Sequence, residues 1–479
     1  MEKLTDFVSN HMNDDTARLI LDRSKWPGID IELAVNCIES RRKLRGKVQE
    51  WHENPGLIFP AKLSAEQCSS SSTATYKASI ASHIINSSCA GGTHDNHGMK
   101  TGWKLADITG GLGVDSWFFS KVAGNVLYCE MKRELCMAAM HNFSMLGTEN
   151  ITVTHCAVTP SSCLPADRDA EATSKSPAEI LETFRPDIIY MDPARRTGSG
   201  KKVFLLEDCT PDVLTLTDEL FIQARHILLK LSPMADITMT AARLGATCRE
   251  IHTVSYGGEC KELLIWLDRE WSGGYSITAC ELHGNSKGTF TFRPEEEKNA
   301  VPAIAPKHDF ENPGNNLLLF EPGKALMKSG AFNLMSERLG LRKFGRSTHY
   351  YIMDASSFGH SDKFENLGRL GKFFRIINCR PLDKRSIKEA GASFPDADVT
   401  ARNIPMDTEA LRKKLSACAP KTTASSKCQN NDSGKTQELV TVQDRSLNCK
   451  TDGIHIFGLK SDTAGNLLLV TSRTIIRHT

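Results

Sequence analysis

Two groups of residues near the middle of the chain have the types and spacing needed for chemistry. The first is Asp107-Ile108-Thr109-Gly110-Gly111-Leu112-Gly113-Val114-Asp115, followed by Glu130 seventeen residues after Gly113. Glycines between a strand and a helix let a ligand approach the backbone closely, and the helix start offers free N–H groups to it. A carboxylate at the end of the next strand can accept the hydroxyls of a ribose. Asp107, Thr109, Gly111, Gly113, Asp115 and Glu130 are therefore the candidate cofactor-binding residues. The second group is Asp187-Ile188-Ile189-Tyr190-Met191-Asp192-Pro193-Ala194-Arg195-Arg196, an apolar run that ends on an acid. A carboxylate at a strand end can orient an acceptor atom and receive its proton. Asp192 and Pro193 are the candidate catalytic residues, and the alternative for Asp192 is a helix cap.

Two cofactors use such a turn. A dinucleotide fingerprint would have a third glycine where this chain has Ser116. Asp107 to Gly113 instead resembles the D-x-x-x-G-x-G pattern of S-adenosylmethionine-dependent methyltransferases. There the acid lies near the amino-acid end of the cofactor and holds its ammonium directly or through water. Ala138, Ala139, Asn142, Gly147 and Asn150-Ile151 resemble the following helix and strand of many such enzymes. The Asp192 segment is similar to the D-P-P-Y and D-P-P-R signatures of RNA and DNA methyltransferases, where a carboxylate and a backbone carbonyl meet the acceptor. A sulfonium methyl is already reactive, so such an enzyme mainly positions the acceptor in line and handles a proton.

Three departures limit that likeness. Ala194 and Arg195 stand where the base-amine pattern has proline and an aromatic, so the usual stacking of a flipped base is in doubt. C5 methylation of uracil needs a cysteine nucleophile at a later strand end, where this chain reads Lys230-Leu231-Ser232-Pro233. Cys209 falls in an expected helix and is read as structural. After the third strand the chain reads Thr154-His155-Cys156-Ala157, without the acid that often binds adenine, so adenine is assigned no side chain. Arg195, Arg196, Lys201 and Lys202 crowd the mouth of this site and are the candidate substrate-binding residues, through phosphate contact. A solvated loop is the competing reading. Gly198-Ser199-Gly200-Lys201-Lys202 lacks the earlier glycine and the hydroxyl residue of a P-loop.

The elements that position these residues follow from patterning. Short apolar strands over Lys104–Asp107, Asn125–Glu130, Ile151–Thr154, Asp187–Asp192, His226–Leu231, Arg249–Tyr256 and Leu263–Asp268 alternate with helical stretches. That alternation predicts a mostly parallel sheet covered on both faces. The hairpin-like Gly257-Gly258-Glu259-Cys260 links the last two, so the final strand is expected to be antiparallel. Residues 1 to about 95 read as helical: Asp14 and Asp15 can cap, and Ile31, Ala34, Val35 and Ile38 recur at helical spacing. Arg41, Arg42, Lys43, Arg45 and Lys47 are expected on the exposed side of that helix. Ser69–Ser72 and Ser87–Gly98 read as loops. Thr159–Ser176 and Ser416–Asp452 are poor in large apolar residues and read as surface insertions or disorder.

Length suggests about three domains. The chain has 479 residues with 59 basic against 57 acidic side chains, a balance that excludes a globally basic nucleic-acid binder. No apolar run is long enough to span a bilayer, and the start MEKLTDFVSNHMNDD is polar, so no secretory signal is expected there. The fifteen cysteines include no C-x-x-C pair, so neither metal nor disulfides are expected, and the expected compartment is the cytoplasm. Two basic groups stand out later in the chain. Lys324, Lys328, Arg338, Arg342, Lys343 and Arg346 lie close to Phe344, Tyr350 and Tyr351. Arg369, Lys372, Arg375, Arg380, Lys384, Arg385 and Lys388 lie beside Phe373 and Phe374. Such mixtures suit RNA, by phosphate contact and base stacking, whereas a solvated face is the plainer reading.

Leu105–Asp115, the Asp-Pro-Ala-Arg-Arg segment, Phe320–Tyr351, Pro381–Lys388, Val399–Met406 and Phe457–Val470 together resemble the bacterial THUMP-like domain-containing methyltransferases of the Bacteroidetes type. The resemblance covers the chain except its two low-complexity stretches. It implies a helical region at 1–95, a Rossmann-like class I methyltransferase domain at 96–272, a small ferredoxin-like segment at 273–322 and a THUMP-like domain at 323–479, with its insertion at 416–452. It also implies S-adenosylmethionine as cofactor and, because THUMP domains in general bind RNA, an RNA substrate. Two other readings stand beside it: a non-catalytic RNA-binding factor that keeps the fold, and a methyltransferase for small molecules or proteins.

Overall fold

The computed structural model describes residues 2–88, 102–164, 173–195, 206, 209–284, 286–311, 316–357, 362–419 and 449–476. The chain divides into two compact units, Met1–Ile277 and Thr278–Thr479.

The first unit is built on seven strands: β1 (Lys104–Asp107), β2 (Asn125–Glu130), β3 (Ile151–His155), β4 (Ile188–Met191), β5 (His226–Leu231), β6 (Cys248–Tyr256) and β7 (Glu259–Asp268). Their order within the unit is β6-β7-β5-β4-β1-β2-β3. The five from β3 to β5 are parallel, and β7 runs antiparallel to both β5 and β6. The inner strands β1, β2, β4, β5 and β7 are buried on both faces, which is why they read as apolar runs rather than as alternations, whereas the edge strand β3 is only partly covered. This is the Rossmann-like, doubly wound sheet with an antiparallel last strand that the patterning predicts. It puts the C-terminal ends of β1, β2, β4 and β5 along one edge, and every candidate site residue follows one of the first three.

Helices α1 (Glu2–Asn10), α2 (Thr16–Leu21), α3 (Ile31–Leu44), α4 (Gln49–Glu53), α5 (Lys62–Gln67) and α6 (Ser71–Ser88) precede the sheet in the same unit. Asp15 caps α2, accepting from Ala17 N at 3.0 Å. Arg41 departs from the exposed position expected for it. It is buried, and its guanidinium donates to the carbonyls of Asn54, Pro55 and Leu57 at 2.6, 2.7 and 2.9 Å, so a loop with no ladder of its own is satisfied by one side chain. Lys47 similarly donates to the carbonyls of Ala65 and Glu66 at 3.1 and 2.6 Å. The serine-rich stretch is also no simple loop, because α6 begins within it. Ser70 and Thr73 exchange side-chain and backbone bonds that cap the helix start. Ser87 and Ser88 close that helix, and the glycine/histidine-rich residues after them lie outside the described residues.

Helix α7 (Val114–Ser120) follows β1, and α8 (Arg133–Met145) follows β2. The N-terminal helical region docks on α8 through the Asn142 amide, which accepts from Ile58 N and donates to Ile58 O, both at 2.8 Å. Cys209 lies on a two-residue ladder opposite Arg195 rather than in a helix.

The second unit holds a sheet of β8 (Leu317–Pro322), β9 (Arg342–Lys343), β10 (Tyr351–Asp354), β11 (Gly371–Pro381), β12 (Asp398–Arg402), β13 (Cys449–Ser461) and β14 (Gly465–Ile476), ordered β9-β10-β8-β11-β14-β13-β12. Its aromatics are not displayed for stacking. Phe344, Tyr350, Tyr351, Phe373 and Phe374 are all buried, three of them in a core cluster with Phe457 and Leu469. Several of the basic side chains are paired: Arg338 with Glu296, Arg342 with Asp309 at 2.8 Å, and Arg385 with Glu389 at 2.8 Å. Lys343 is buried. The expected mixture of cations and stacking aromatics is therefore absent at these residues: even the adjacent Phe373 and Phe374 are both buried, the first against Phe320 and the second against Phe457.

Candidate active site

The turn after β1 is fixed by its own backbone. Gly113 caps α7 with φ +92° and Gly111 has φ +55°, conformations that cost a residue with a Cβ roughly 1–2 kcal/mol. Gly110 is needed for a different reason. A Cβ there would sit 2.2 Å from the Tyr128 ring, whose hydroxyl donates to Gly111 O at 2.6 Å. Around Gly111 the surroundings are open: an added Cβ would meet only the Thr109 carbonyl, at 3.8 Å. That is the cradle a close ligand needs.

Glu130, at the end of β2, closes the cradle. Its Oε2 accepts from Gly111 N at 2.9 Å and its Oε1 from Lys132 N at 2.8 Å. Each oxygen keeps a further lone-pair site, as acceptance of a ribose diol requires. Asp107, at the end of β1, accepts from Ser116 Oγ at 2.6 Å and from Thr109 N at 3.1 Å. It is buried, and burial raises its pKa to about 7. The carboxyl therefore titrates near neutrality and would be drawn into its ionised form by a nearby ammonium. The donor set fits S-adenosylmethionine: an open glycine, a diol acceptor and an acid for a cation.

Asp192 lies at the end of β4. Its backbone N–H donates to Thr109 Oγ1 at 2.7 Å, which ties it to the glycine turn. Its carboxylate is held by the Lys230 ammonium, from β5. Pro193 is buried behind it. Asp115 points away from the turn. It accepts from Lys77 Nζ, Tyr190 Oη and Ser69 Oγ at 2.9, 2.9 and 3.0 Å, and against the effect of burial Lys77 and Lys230 hold it below the usual carboxylate range. The backbone of Arg195 pairs with Cys209 in the short ladder, while Arg196, Lys201 and Lys202 lie outside the described residues.

Three charged residues join this site that the motifs did not single out. Lys77 on α6, Lys230 on β5 and Glu262 on β7 stand beside Asp115 and Asp192, and Lys77 Nζ is 3.2 Å from Glu262 Oε2. The available signal was a single charge inside an apolar stretch, as in His226-Ile-Leu-Leu-Lys230-Leu231, where burial of an unpaired lysine would be prohibitive.

Comparison with known proteins bears on the fold and the domains. Residues 318–358 match the ferredoxin-like domain family, and residues 371–437 match the THUMP domain-like family. The first of these overlaps the 273–322 segment expected to be ferredoxin-like at residues 318–322. The crystal structure of a candidate methyltransferase from Porphyromonas gingivalis W83 aligns over 98% of this chain and 97% of its own, with 26% identity and a TM-score of 0.70. The chain has the architecture of the THUMP-like domain-containing class I methyltransferases. Partial likenesses reach an rRNA methylase from Streptococcus thermophilus (11% identity, 35% of this chain and 87% of that one, TM-score 0.24). They also reach a type I restriction-modification methyltransferase subunit from the same species (14%, 46% and 50%, TM-score 0.30). Likenesses of that size carry no functional weight. No curated protein matches the chain. Among the described residues no group of metal-ligating side chains forms, and no helix is long and apolar enough to cross a membrane.

Proposed function

We propose that this protein is an S-adenosylmethionine-dependent methyltransferase acting on RNA. The observation that carries the reading is the union of two motifs at one sheet edge: the open cradle at Gly111 and Glu130, and Asp192 tied to it through Thr109. When bound, the cofactor supplies an electrophilic sulfonium methyl. Glu130 would hold its ribose and Asp107 its ammonium, with Thr109, Gly111 and Gly113 shaping the turn. Asp192 would orient the acceptor and receive its proton, held in place by Lys230. Arg195, Arg196, Lys201 and Lys202 would contact phosphates. The RNA substrate is supported by the THUMP domain-like match at residues 371–437. That support is by association, because a module bounds the substrate class without naming the atom.

The test is transfer of labelled methyl from S-adenosylmethionine to total RNA from a strain lacking the protein, with Asp192→Ala alongside. Label entering RNA with the wild type alone supports the proposal. Cofactor binding without label in RNA would shift the reading to a small-molecule or protein acceptor, or to an RNA-binding factor without catalysis.

A further inference from the structure

Two lysines and three carboxylates converge on the site from five elements: Lys77 from α6, Asp115 from α7, Asp192 from the end of β4, Lys230 from β5 and Glu262 from β7. Taking such charges out of water costs more than their attraction usually returns, so the cluster is a poor device for stability alone. Its exposure is graded. The side chains of Lys77 and Glu262 are 0% and 3% exposed, Lys230 is 15% and Asp192 is 35%. The chain of charges therefore ends at the solvent, beside the glycine turn. Inside it, Oε1 of Glu262 has no hydrogen-bond partner among the described residues.

The sign of the charge beside Asp192 bears on the acceptor. A base nitrogen attacking a methyl group gains positive charge, and a lysine ammonium at that spot opposes it. A hydroxyl oxygen gives up its proton, and the same ammonium stabilises the negative charge that develops on oxygen. Lys230 is kept protonated: burial disfavours its charge, but Asp192, Glu262 and Asp115 outweigh that and raise its pKa. A carboxylate to take the proton and a fixed cation to hold the oxygen thus stand side by side. The residues after Asp192-Pro193 supply no aromatic for a flipped base.

We infer that the acceptor is a hydroxyl oxygen, the ribose 2′-hydroxyl of RNA, with Asp192 as proton acceptor and Lys230 as the cation beside the reacting oxygen. This rests on the RNA methyltransferase reading above and names its acceptor atom. In the step, the hydroxyl oxygen forms a bond to the methyl carbon as the carbon–sulfur bond breaks. The electron pair stays on sulfur, and the hydroxyl proton passes to the Asp192 carboxylate and then to solvent. Glu262 and Asp115 are positioning residues, whose carboxylates favour the Lys230 ammonium, and Lys77 bridges the two. The 2′-hydroxyl is also the group by which RNA differs from DNA at a site.

The experiment is alkaline hydrolysis of RNA labelled by the full-length protein. A 2′-O-methyl removes the hydroxyl that cleaves the adjacent phosphodiester, so the label is expected in alkali-resistant dinucleotides. Label in mononucleotides would overturn the inference and leave the RNA methyltransferase reading intact; no label in RNA would remove both. Lys230→Met provides an independent arm, with S-adenosylmethionine binding followed by calorimetry. Transfer should fall on the order of 100-fold with cofactor affinity retained, and Lys230→Arg should recover part of it. Undiminished transfer by Lys230→Met would contradict the role given to Lys230.

Discussion

The glycine turn and the charge cluster meet at one sheet edge but are built in opposite ways. The turn is local: nine consecutive residues from Asp107 to Asp115, with Glu130 one strand later, use backbone conformation and backbone N–H groups. The cluster is assembled from residues between 77 and 262 and works through side-chain charge at fixed positions. The contrast assigns the tasks, since backbone donors suit holding a ligand and paired charges suit managing a proton.

The comparison can be broken at either end. The largest effect is expected for Asp192→Asn, which should lower methyl transfer by on the order of 10²–10⁴-fold, measured by single turnover. Lys77→Met should come next, as a loss of stability rather than of chemistry alone. It leaves Asp115 and Glu262 buried without their shared cation, at roughly 3–5 kcal/mol, readable by denaturant unfolding. Asp107 sharpens the account through pH. Its folded pKa, about 7, lies above the ordinary carboxylate value of 3.8, so between those values the native state binds more protons than the unfolded one. Its contribution to stability is therefore full below about pH 4 and is lost as pH rises towards 7, and Asp107→Asn should flatten that slope in unfolding measured across pH. Glu130→Ala should weaken S-adenosylmethionine by roughly 10–100-fold in calorimetry, the worth of hydrogen bonds to a charged acceptor. Gly113→Ala should cost about 1–2 kcal/mol of stability from its positive φ, with added crowding against Phe143.

What was legible in the sequence follows the same divide. The seven strands of the first unit, the antiparallel return at Gly257-Gly258 and the glycine turn were readable because each is a local pattern of apolar periodicity or backbone need. The charge cluster was not, since nothing in Ala74-Thr75-Tyr76-Lys77 states that its lysine will face Glu262. Arg41 and the second unit's aromatics misled for one reason: residue type suggests exposure or stacking, but tertiary burial decides it. Ser71 and Ser72 misled for another, because serine suits both a loop and the first turn of a helix.

The division of labour between the two regions is tested most directly by one variant read in two ways. Asp192→Asn should bind S-adenosylmethionine in calorimetry as the wild type does and transfer almost none of its methyl groups to RNA in single turnover. Loss of binding in that variant, or transfer at the wild-type rate, would contradict the account.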